Sequence, residues 1–392
     1  MKLGRVLVVG GGMAALHTVR MLREKGFQGK VTVLAAEPHA PYDRPPLSKA
    51  MLTFRDGSAG AVEDVTELAF AFDFSTADVH SRFGERAVDW SPGFVTTSTG
   101  DRLPYDTLIV ATGSEPVRLG FGETLRTYED ALRLREVIGA RKRLAIVGAG
   151  WIGAEVATAA RAAGAAVVVH EARERPLAAV FPDAVGSAMA RWYSEVGAVL
   201  KCSDAISGAP DDADHVLVAV GARPDTRWLG EAFHRAADGS LLVSEHLETN
   251  VPGVFGVGDV AAYRSLRYGG QHIRVEHWDN ALRGPETVVA NVVEGVGAQA
   301  HDPVPYFWSE QFGRMVQYVG RHAPDDRVVV RGVLSDPTWS VVWLDALSRP
   351  TAVLAVGRPR DLAQGRRLVT AGSVLNADRV ADAGTALVSA VL

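Results

Sequence analysis

One pattern constrains the fold of this chain more than any other, because it occurs twice. An apolar strand, a glycine-rich turn, a helical stretch and a second apolar strand follow one another over residues 5–34 and again over residues 143–169. Strands without a polar face are typical of parallel sheets that are covered on both sides. The repeat therefore predicts an α/β fold with two Rossmann-like dinucleotide-binding domains.

The turn of the first copy has the GxGxxG/A spacing, at Gly10, Gly12 and Ala15. Glycine at such a turn lets the backbone approach a pyrophosphate, which then lies at the positive N-terminus of the following helix. Met13 and Ala14 fall in the first turn of that helix. We expect these five residues to bind the first dinucleotide.

The second copy repeats the spacing at Gly148, Gly150 and Gly153, with Trp151 and Ile152 between the last two glycines. Two such turns in one chain are a more specific signal than either alone, because together they imply two nucleotides. One would be a stored redox cofactor and the other an exchanging hydride donor.

An acidic residue follows the second strand of each copy, at Glu37 and at Glu171. A carboxylate in this place accepts hydrogen bonds from ribose hydroxyls and repels a 2'-phosphate. Glu171 therefore favours NADH over NADPH. Arg173 and Arg175 follow closely and could soften this preference, so NADPH stays possible.

The composition is that of an ordinary globular protein, with 47% hydrophobic and 22% charged residues and a net charge of -5 over 392 residues. This charge gives no case for binding nucleic acid or a membrane surface. No apolar run reaches the ~18 residues that a membrane span needs, and the N-terminus lacks a signal-peptide pattern. One cysteine, Cys202, cannot form a disulfide or a redox pair within the chain. We expect a cytoplasmic protein without a metal site.

The character of the sequence changes from about residue 307, where apolar and polar residues begin to alternate. The stretches 315–319, 328–330, 340–343 and 351–355 predict an antiparallel sheet, followed by one or two closing helices. The chain should therefore end in a small α+β domain.

Residues 37–49, with the sequence EPHAPYDRPPLSK, closely resemble the signature of the FAD-dependent ferredoxin reductases that serve bacterial oxygenases and cytochromes P450. Further segments resemble the same family in the same order, so the resemblance covers essentially the whole chain. These segments are 111–113, 148–155, 220–225, 257–259, 276–278, 307–311, 366–369 and 375–378.

The resemblance implies a division of the chain into three domains. Residues 1–113 and 239–304 would form the FAD-binding domain, and residues 114–238 the NAD(P)H-binding domain inserted into it. Residues 305–392 would form the C-terminal reductase-type domain. The short segment 203–212 departs from the family, which usually has a longer strand-rich stretch at this place.

The resemblance also implies the residues at the reaction centre. Arg44 would neutralise the FAD pyrophosphate, and Lys49 would lie beside the flavin ring, paired with Glu155. Trp278 and Trp308 would stack near the flavin and nicotinamide rings, although large aromatic residues are as often part of a core.

The remaining dinucleotide contacts that the resemblance implies lie at strand ends and in loops. Asp259 would bind the ribitol chain of FAD, and His277 adjoins Trp278. The other residues expected to contact FAD are Ala111, Thr112, Gly113, Gly258 and Glu276, and Gly221 is expected to contact NAD.

The position of the cysteine separates this chain from its relatives that use thiols. Disulfide reductases carry redox cysteines after the FAD loop, whereas residues 45–52 here contain none, and Cys202 lies in the NAD-binding half. Electrons must then leave the flavin directly. This agrees with a [2Fe-2S] ferredoxin as the acceptor.

The resemblance predicts an NADH:ferredoxin reductase, acting as a monomer or a homodimer. Two alternatives remain open: a stand-alone FAD-dependent oxidase or dehydrogenase of a small molecule, favoured only by the short 203–212 segment, and a non-catalytic redox-sensing flavoprotein. An acidic ferredoxin would need a basic surface, for which the candidates are Arg358, Arg360, Arg366 and Arg367.

Overall fold

Secondary structure is described for residues 4–55, 58–59 and 64–392 of a computed structural model. The strands, in chain order, are β1 (Arg5–Val9), β2 (Lys30–Ala35), β3 (Phe54–Arg55), β4 (Ser58–Ala59), β5 (Val79–Phe83), β6 (Ala87–Ser91), β7 (Phe94–Thr97), β8 (Arg102–Pro104), β9 (Thr107–Val110), β10 (Ser114–Pro116), β11 (Leu144–Val147), β12 (Val167–Glu171), β13 (Val199–Cys202), β14 (His215–Val218), β15 (Ala222–Pro224), β16 (Leu241–Val243), β17 (Val254–Gly256), β18 (Ala261–Ser265), β19 (Gln271–Arg274), β20 (Tyr306–Gln311), β21 (Arg314–Gly320), β22 (Arg327–Arg331), β23 (Trp339–Leu344) and β24 (Pro350–Val356). The α-helices are α1 (Met13–Glu24), α2 (Tyr128–Gly139), α3 (Trp151–Ala162), α4 (Asp183–Glu195), α5 (Trp278–Glu294), α6 (Pro359–Ala371) and α7 (Ala377–Ala381).

The first predicted βαβ unit is confirmed as β1, α1 and β2. Apolar residues at the helical spacing Ala15, Val19 and Leu22 bury one face of α1, and each is less than 1% exposed. Strands β1 and β2 pair in parallel, as their uninterrupted apolar sequences predict. The helix therefore begins directly above the end of β1, where the glycine turn lies.

The described residues group into two compact units. The first is formed within residues 1–44, 63–115 and 222–303, and the second within residues 45–62, 116–221 and 304–392. The three predicted domains, with limits at 113, 238 and 304, remain predictions.

The main sheet of the first unit is parallel, with the strand order β5-β2-β1-β9-β17. A small antiparallel sheet, β6-β7-β8, and the mixed sheet β16-β18-β19 complete this unit. Because all strands of the main sheet run the same way, the loops after β1, β9 and β17 lie at the same edge. Ligands bind at this carboxyl edge in open α/β sheets.

The second unit repeats this order in the parallel sheet β13-β12-β11-β14. Strand β14, at one edge of this sheet, ends at Val218. Residues 203–214 contain neither a helix nor a strand, so the sheet ends at β13 on this side. The predicted shortening at 203–212 is thus located at an edge of the sheet and away from the loop after β11.

The predicted C-terminal antiparallel sheet is confirmed, with the strand order β20-β21-β24-β23-β22. Strand β20 was not predicted, because its sequence of aromatic and polar residues does not alternate. Trp339 and Trp343 of β23 are fully buried and belong to the same hydrophobic core as β11, α3 and α4. The second unit therefore has a continuous core that includes residues of its two larger sheets.

Candidate active site

The turn after β1 has the geometry of a phosphate-binding loop. Gly10 has a φ of +140°, and a Cβ at this position would lie 2.1 Å from the carbonyl oxygen of Ala111. Gly12 is the N-cap of α1, and a Cβ there would meet no atom within 4 Å. The first glycine is required by the fold, whereas the second leaves open space in front of the helix N-terminus, where a pyrophosphate fits.

The loop after β17 lies against this turn. A Cβ on Gly258 would lie 3.2 Å from the Cβ of Ala14, in the first turn of α1. Asp259 follows in the same short helical turn. The structure therefore brings Asp259 close to the residues predicted to bind the first dinucleotide, and its contact with the ribitol chain remains a prediction.

Glu37 and Arg44 form an ion pair, with an Arg44 Nη2 to Glu37 Oε1 distance of 2.6 Å. The hydroxyl of Tyr42 donates to Glu37 Oε2 at 2.5 Å, and the guanidinium of Arg44 lies over the Tyr42 ring. Burial disfavours the charged form of Arg44 and by itself would lower its pKa. The attraction of Glu37 outweighs this effect, so the pKa of Arg44 is raised. The ion pair therefore holds the guanidinium of Arg44 beside Glu37, the residue predicted to bind the ribose.

The predicted residues at the end of β9 are held by hydrogen bonds within the first unit. Thr112 Oγ1 donates to the carbonyl of Asp225 at 2.7 Å, and the Gly113 carbonyl accepts from Asp225 N at 3.1 Å. Ala111 N donates to the carbonyl of Val9, which joins this strand end to the first glycine turn.

Arg274 is a residue of this site that sequence reasoning missed. Its Nε donates to the carbonyl of Asp259 at 2.7 Å, and its Nη2 donates to Ser114 Oγ at 2.8 Å. It also pairs with Glu276 at 2.5 Å. One guanidinium therefore holds together the loop after β17, the start of β10 and Glu276. Only the position of Arg274 two residues before Glu276 could have indicated it from the sequence.

His277 and Trp278 mark the start of α5. Burial lowers the pKa of His277 to about 4, so the imidazole is neutral at pH 7. Trp278 Nε1 donates to Asp43 Oδ1 at 2.9 Å, which ties the indole to the loop that carries Arg44. The predicted stacking of Trp278 near a flavin ring remains a prediction.

The turn after β11 in the second unit repeats the geometry of the first. Gly148 has a φ of +104°, and its Cβ would lie 2.5 Å from the carbonyl oxygen of Ala219. A Cβ on Gly153 would lie 2.0 Å from the carbonyl oxygen of Gly148, whereas a Cβ on Gly150 would meet nothing nearer than 4.0 Å. Gly150 is the N-cap of α3, so the space that remains lies in front of the helix N-terminus.

Glu171 stands at the end of β12 beside this turn. Its Oε2 accepts from Ala149 N at 2.8 Å and its Oε1 accepts from Arg173 N at 2.9 Å. The side chain of Arg175 instead pairs with Asp183 at 2.9 Å. The carboxylate is therefore fixed in the position where the sequence analysis expected a ribose contact.

Three more predicted NAD contacts lie in the same unit. Gly221 has a φ of +109° and nothing within 4 Å of a Cβ placed there. Ile152 is 40% exposed, which is unusual for a large apolar residue in a glycine turn. Trp151 packs against Phe307, with ring centroids 4.5 Å apart. The aromatic residue of the turn thus contacts the strand that carries Trp308.

Lys49 and Glu155 form the ion pair that the family resemblance implies. The Lys49 Nζ to Glu155 Oε2 distance is 2.9 Å, and the two side chains are 19% and 3% exposed. Two hydroxyls that the sequence analysis had not singled out also donate to Glu155, from Ser48 at 2.5 Å and from Ser309 at 2.6 Å. A nearly buried carboxylate is thus held by one cation and two serines.

Trp308 lies on β20 of the same unit, where its ring stacks on Tyr306 with a centroid distance of 6.1 Å. Its predicted catalytic contact remains a prediction. Arg358, one of the four arginines proposed for docking, pairs with Asp361 at 2.9 Å and is only 22% exposed in its side chain. Arg358 therefore has a structural partner, whereas Arg367 is exposed.

The residues that the structure describes include few that could form a metal site or take part in thiol redox chemistry. They contain no cluster of three or more histidine, cysteine or acidic residues able to hold a metal ion. Cys202 lies on β13, and burial raises the pKa of its thiol. None of the helices found in the described ranges combines the length and the apolar character needed to cross a bilayer.

Comparison with known proteins agrees with this geometry. The family model "Pyridine nucleotide-disulphide oxidoreductase" matches residues 4–285, and "Reductase C-terminal" matches residues 306–391. The chain is 32% identical over 401 residues to the ferredoxin–NAD(+) reductase component of the p-cumate 2,3-dioxygenase system of Pseudomonas putida, covering 97% of this chain and 96% of the relative.

Two solved structures share the fold over nearly their whole length. The crystal structure of Fdr9 has a TM-score of 0.88 and 39% identity, covering 98% of this chain and 99% of that one. The covalent complex of putidaredoxin reductase with putidaredoxin also has a TM-score of 0.88, with 27% identity and coverage of 98% and 97%. The resemblance stated from the sequence is confirmed, and the chain belongs to the pyridine nucleotide-disulphide oxidoreductase family, with the C-terminal domain of its reductases.

Proposed function

We propose that this protein is an FAD-dependent NADH:ferredoxin reductase. It takes hydride from NADH onto FAD and passes single electrons to a [2Fe-2S] ferredoxin, which serves a cytochrome P450 or an oxygenase. The observation that carries the proposal is the duplicated phosphate-binding turn, with open space in front of the helix at Gly12 and again at Gly150. Two such turns provide for a bound redox nucleotide and an exchanging one.

The residues of the first unit fit FAD. The turn at Gly10 and Gly12 would receive the pyrophosphate, which Arg44 would neutralise, and Glu37 would accept from the ribose. Asp259, held through its carbonyl by Arg274, would contact the ribitol chain. When bound, FAD accepts a hydride and releases electrons one at a time, and the protein supplies its binding and electrostatics.

The residues of the second unit fit NADH. The N-terminus of α3 after Gly150 would receive the pyrophosphate, and Glu171 would accept from the free 2'-hydroxyl. Arg175 pairs with Asp183 and Glu174, and these carboxylates reduce the positive charge that it could offer to a 2'-phosphate. We therefore infer a preference for NADH, which the ratio of kcat/KM for NADH to that for NADPH would test.

The Lys49–Glu155 pair provides a cation that is held in place and has lost most of its water. A cation beside a flavin stabilises the negative charge that builds up on reduction, and it does so most strongly where water is excluded. Trp308, on the strand that carries Ser309, would cover the ring system. These residues position and stabilise, and none has to act as a nucleophile.

The proposed acceptor follows from the relatives, which include reductase components of oxygenase systems and a reductase in covalent complex with putidaredoxin. The other three arginines proposed for docking, Arg360, Arg366 and Arg367, lie on α6. We place this activity in the cytoplasm, where cell fractionation would test it, with the protein as a monomer or a homodimer.

Anaerobic stopped-flow absorbance at 450 nm tests the proposal. We expect NADH to bleach the flavin rapidly and oxidised ferredoxin to restore part of the absorbance. Recovery only with oxygen or a small molecule would instead support a stand-alone oxidase. Absence of bleaching with FAD bound would overturn the reductase and support a sensing role.

A further inference from the structure

Strand β20 carries two polar residues on its buried face. Ser309 is fully buried and Gln311 is 2% exposed, whereas Glu310 between them points to solvent. Alternate residues of a strand share a face, and a buried face is normally apolar. Buried polar groups cost free energy unless they are hydrogen-bonded, so this pair requires partners.

The partner is the carboxylate of Glu155 on α3. Ser309 Oγ donates to Glu155 Oε1 at 2.6 Å, and Gln311 Nε2 donates to Ser309 Oγ at 3.1 Å. A serine hydroxyl has one proton to donate. Because the amide of Gln311 occupies the serine oxygen as a donor, the serine proton is directed to Glu155.

The opposite oxygen of the same carboxylate receives the other donors. Ser48 Oγ and Lys49 Nζ lie 2.5 Å and 2.9 Å from Glu155 Oε2. Hydrogen bonds to a charged group are about twice as strong as those between neutral groups. With donors on both oxygens, Glu155 cannot rotate about its terminal bond without losing one of them.

We propose that Ser309 is a positioning residue of the redox centre. It fixes the carboxylate of Glu155, and Glu155 in turn fixes the ammonium of Lys49. Ser48 has the same role on the other oxygen. The inference rests on the proposed function, in which Lys49 stabilises charge on the bound flavin. It adds residues of β20, a strand of the C-terminal sheet, to the redox centre.

A purely structural role for Ser309 can be separated from this one, because a second hydrogen bond joins α3 to the residue that follows β20. Phe312 N donates to Thr158 Oγ1 at 2.9 Å, one helical turn beyond Glu155. This bond does not involve Glu155 or Lys49. Thr158→Val therefore provides a matched control that removes a hydroxyl from the same contact.

The experiment measures the midpoint potential of the flavin by equilibration with a redox dye, together with its rate of reduction by NADH. For Ser309→Ala we expect reduction of the flavin to become about tenfold less favourable, which lowers a two-electron potential by about 30 mV. The rate should fall by roughly tenfold, because a misplaced group loses its effect on the reaction. Ser309→Thr, which keeps the hydroxyl, should restore both values.

Two further comparisons decide the assignment. Thr158→Val should lower the thermal midpoint and leave the potential and the rate at wild-type values. In a Glu155→Gln background, Ser309→Ala should have no further effect on the potential, because it acts through the carboxylate. An unchanged potential in Ser309→Ala, or the same shift with and without Glu155, would overturn the proposal.

Ser48→Ala supplies an independent variant on another element, should Ser309→Ala fail to fold. Its potential should fall in the same direction, and a wild-type value would count against the proposal. The potential is measured without NADH or ferredoxin. A wild-type protein that NADH does not reduce would therefore overturn the proposed function, whereas it would leave the test of Ser309 intact.

Discussion

Glu155 shows at the scale of one residue how the site uses burial. A carboxylate that is 3% exposed loses nearly all of its hydration, which costs several kcal/mol unless other groups replace the water. Lys49, Ser48 and Ser309 replace it here. These contacts thereby fix the position of the Lys49 ammonium group, whereas the ammonium group of a lysine in solvent would move freely.

Replacing Lys49 with Met tests this charge directly. We expect Lys49→Met to retain FAD but to slow its reduction by NADH by tenfold or more, because the cation that stabilises the developing charge is lost. Stability should fall by about 1–3 kcal/mol, since Glu155 stays buried without its cation. Stopped-flow reduction and thermal unfolding measure the two effects, with Lys49→Arg as the charge-preserving control. An unaltered rate in Lys49→Met would refute the assigned role.

His301 gives the first unit a pH-dependent stability. Its Nε2 lies 3.0 Å from Asn280 Oδ1, and burial, together with Arg283, lowers its pKa to about 4. An unfolded histidine titrates near pH 6.5. Between these values the unfolded chain binds a proton that the folded one does not, so stability falls as the pH falls from about 6.5 to 4.

We expect this single group to cost about 2 kcal/mol between pH 7 and pH 5. His301→Gln keeps a polar side chain but does not ionise, so the urea midpoint of this variant should decrease less over the same interval. His277, whose pKa is also lowered to about 4, should continue to contribute in the variant. Parallel pH profiles of wild type and variant would contradict the assignment.

At the scale of an element, the turn into α3 separates the glycines that the fold requires from the one that the ligand requires. Gly153 lies against the backbone of Gly148, and its Cβ would be 2.0 Å from a carbonyl oxygen. Gly150 has an ordinary φ of -79° and open space beside it. A substitution at Gly153 should therefore lower stability, whereas a substitution at Gly150 should weaken the binding of NADH.

Gly153→Ala should destabilise the protein by about 2 kcal/mol or more, because α3 has to move away from β11. Gly150→Ala should unfold at the wild-type temperature but bind NADH roughly tenfold more weakly, since its methyl group occupies the space left for the pyrophosphate. Thermal unfolding without NADH and titration with NADH measure the two effects. The hypothesis fails if Gly150→Ala binds NADH as the wild type does.

At the scale of the whole molecule, Arg366 and Arg367 of α6 test the choice of partner. Arg366 lies over the ring of Tyr306, and Arg367 is exposed one residue further. We expect the double variant Arg366→Glu/Arg367→Glu to raise the KM for an acidic ferredoxin roughly tenfold at low salt. The difference should shrink as ionic strength rises, because salt screens exposed charges.

Arg327→Glu/Arg379→Glu is the matched control for this prediction. It makes the same change in net charge on β22 and α7, and β22 forms the edge of the C-terminal sheet opposite to β20. Its KM for ferredoxin should stay near the wild-type value. A KM in the Arg366/Arg367 variant that equals wild type at every ionic strength would exclude this docking surface.

The sequence by itself determined the repeated βαβ units, the two glycine turns, the family and the C-terminal antiparallel sheet. These features depend on local spacing: apolar runs of strand length, glycines where the backbone has to approach another chain segment, and alternation with a period of two. The motifs also indicated Lys49, Glu155 and Arg44 as residues of the site. Strand β20 escaped prediction because its inward positions, Ser309 and Gln311, are polar.

Only the tertiary structure decided which polar residues meet. Ser48, Glu155 and Ser309 are separated by 107 and 154 residues in the chain, and no periodicity connects them. In the same way, no local sequence pattern indicated Arg274 or its contacts. The two larger sheets of the second unit share one core because Trp339 and Trp343 are buried with residues of α3 and α4. Such contacts depend on how finished elements pack, a property that is set by shape and burial across the whole chain rather than by local sequence.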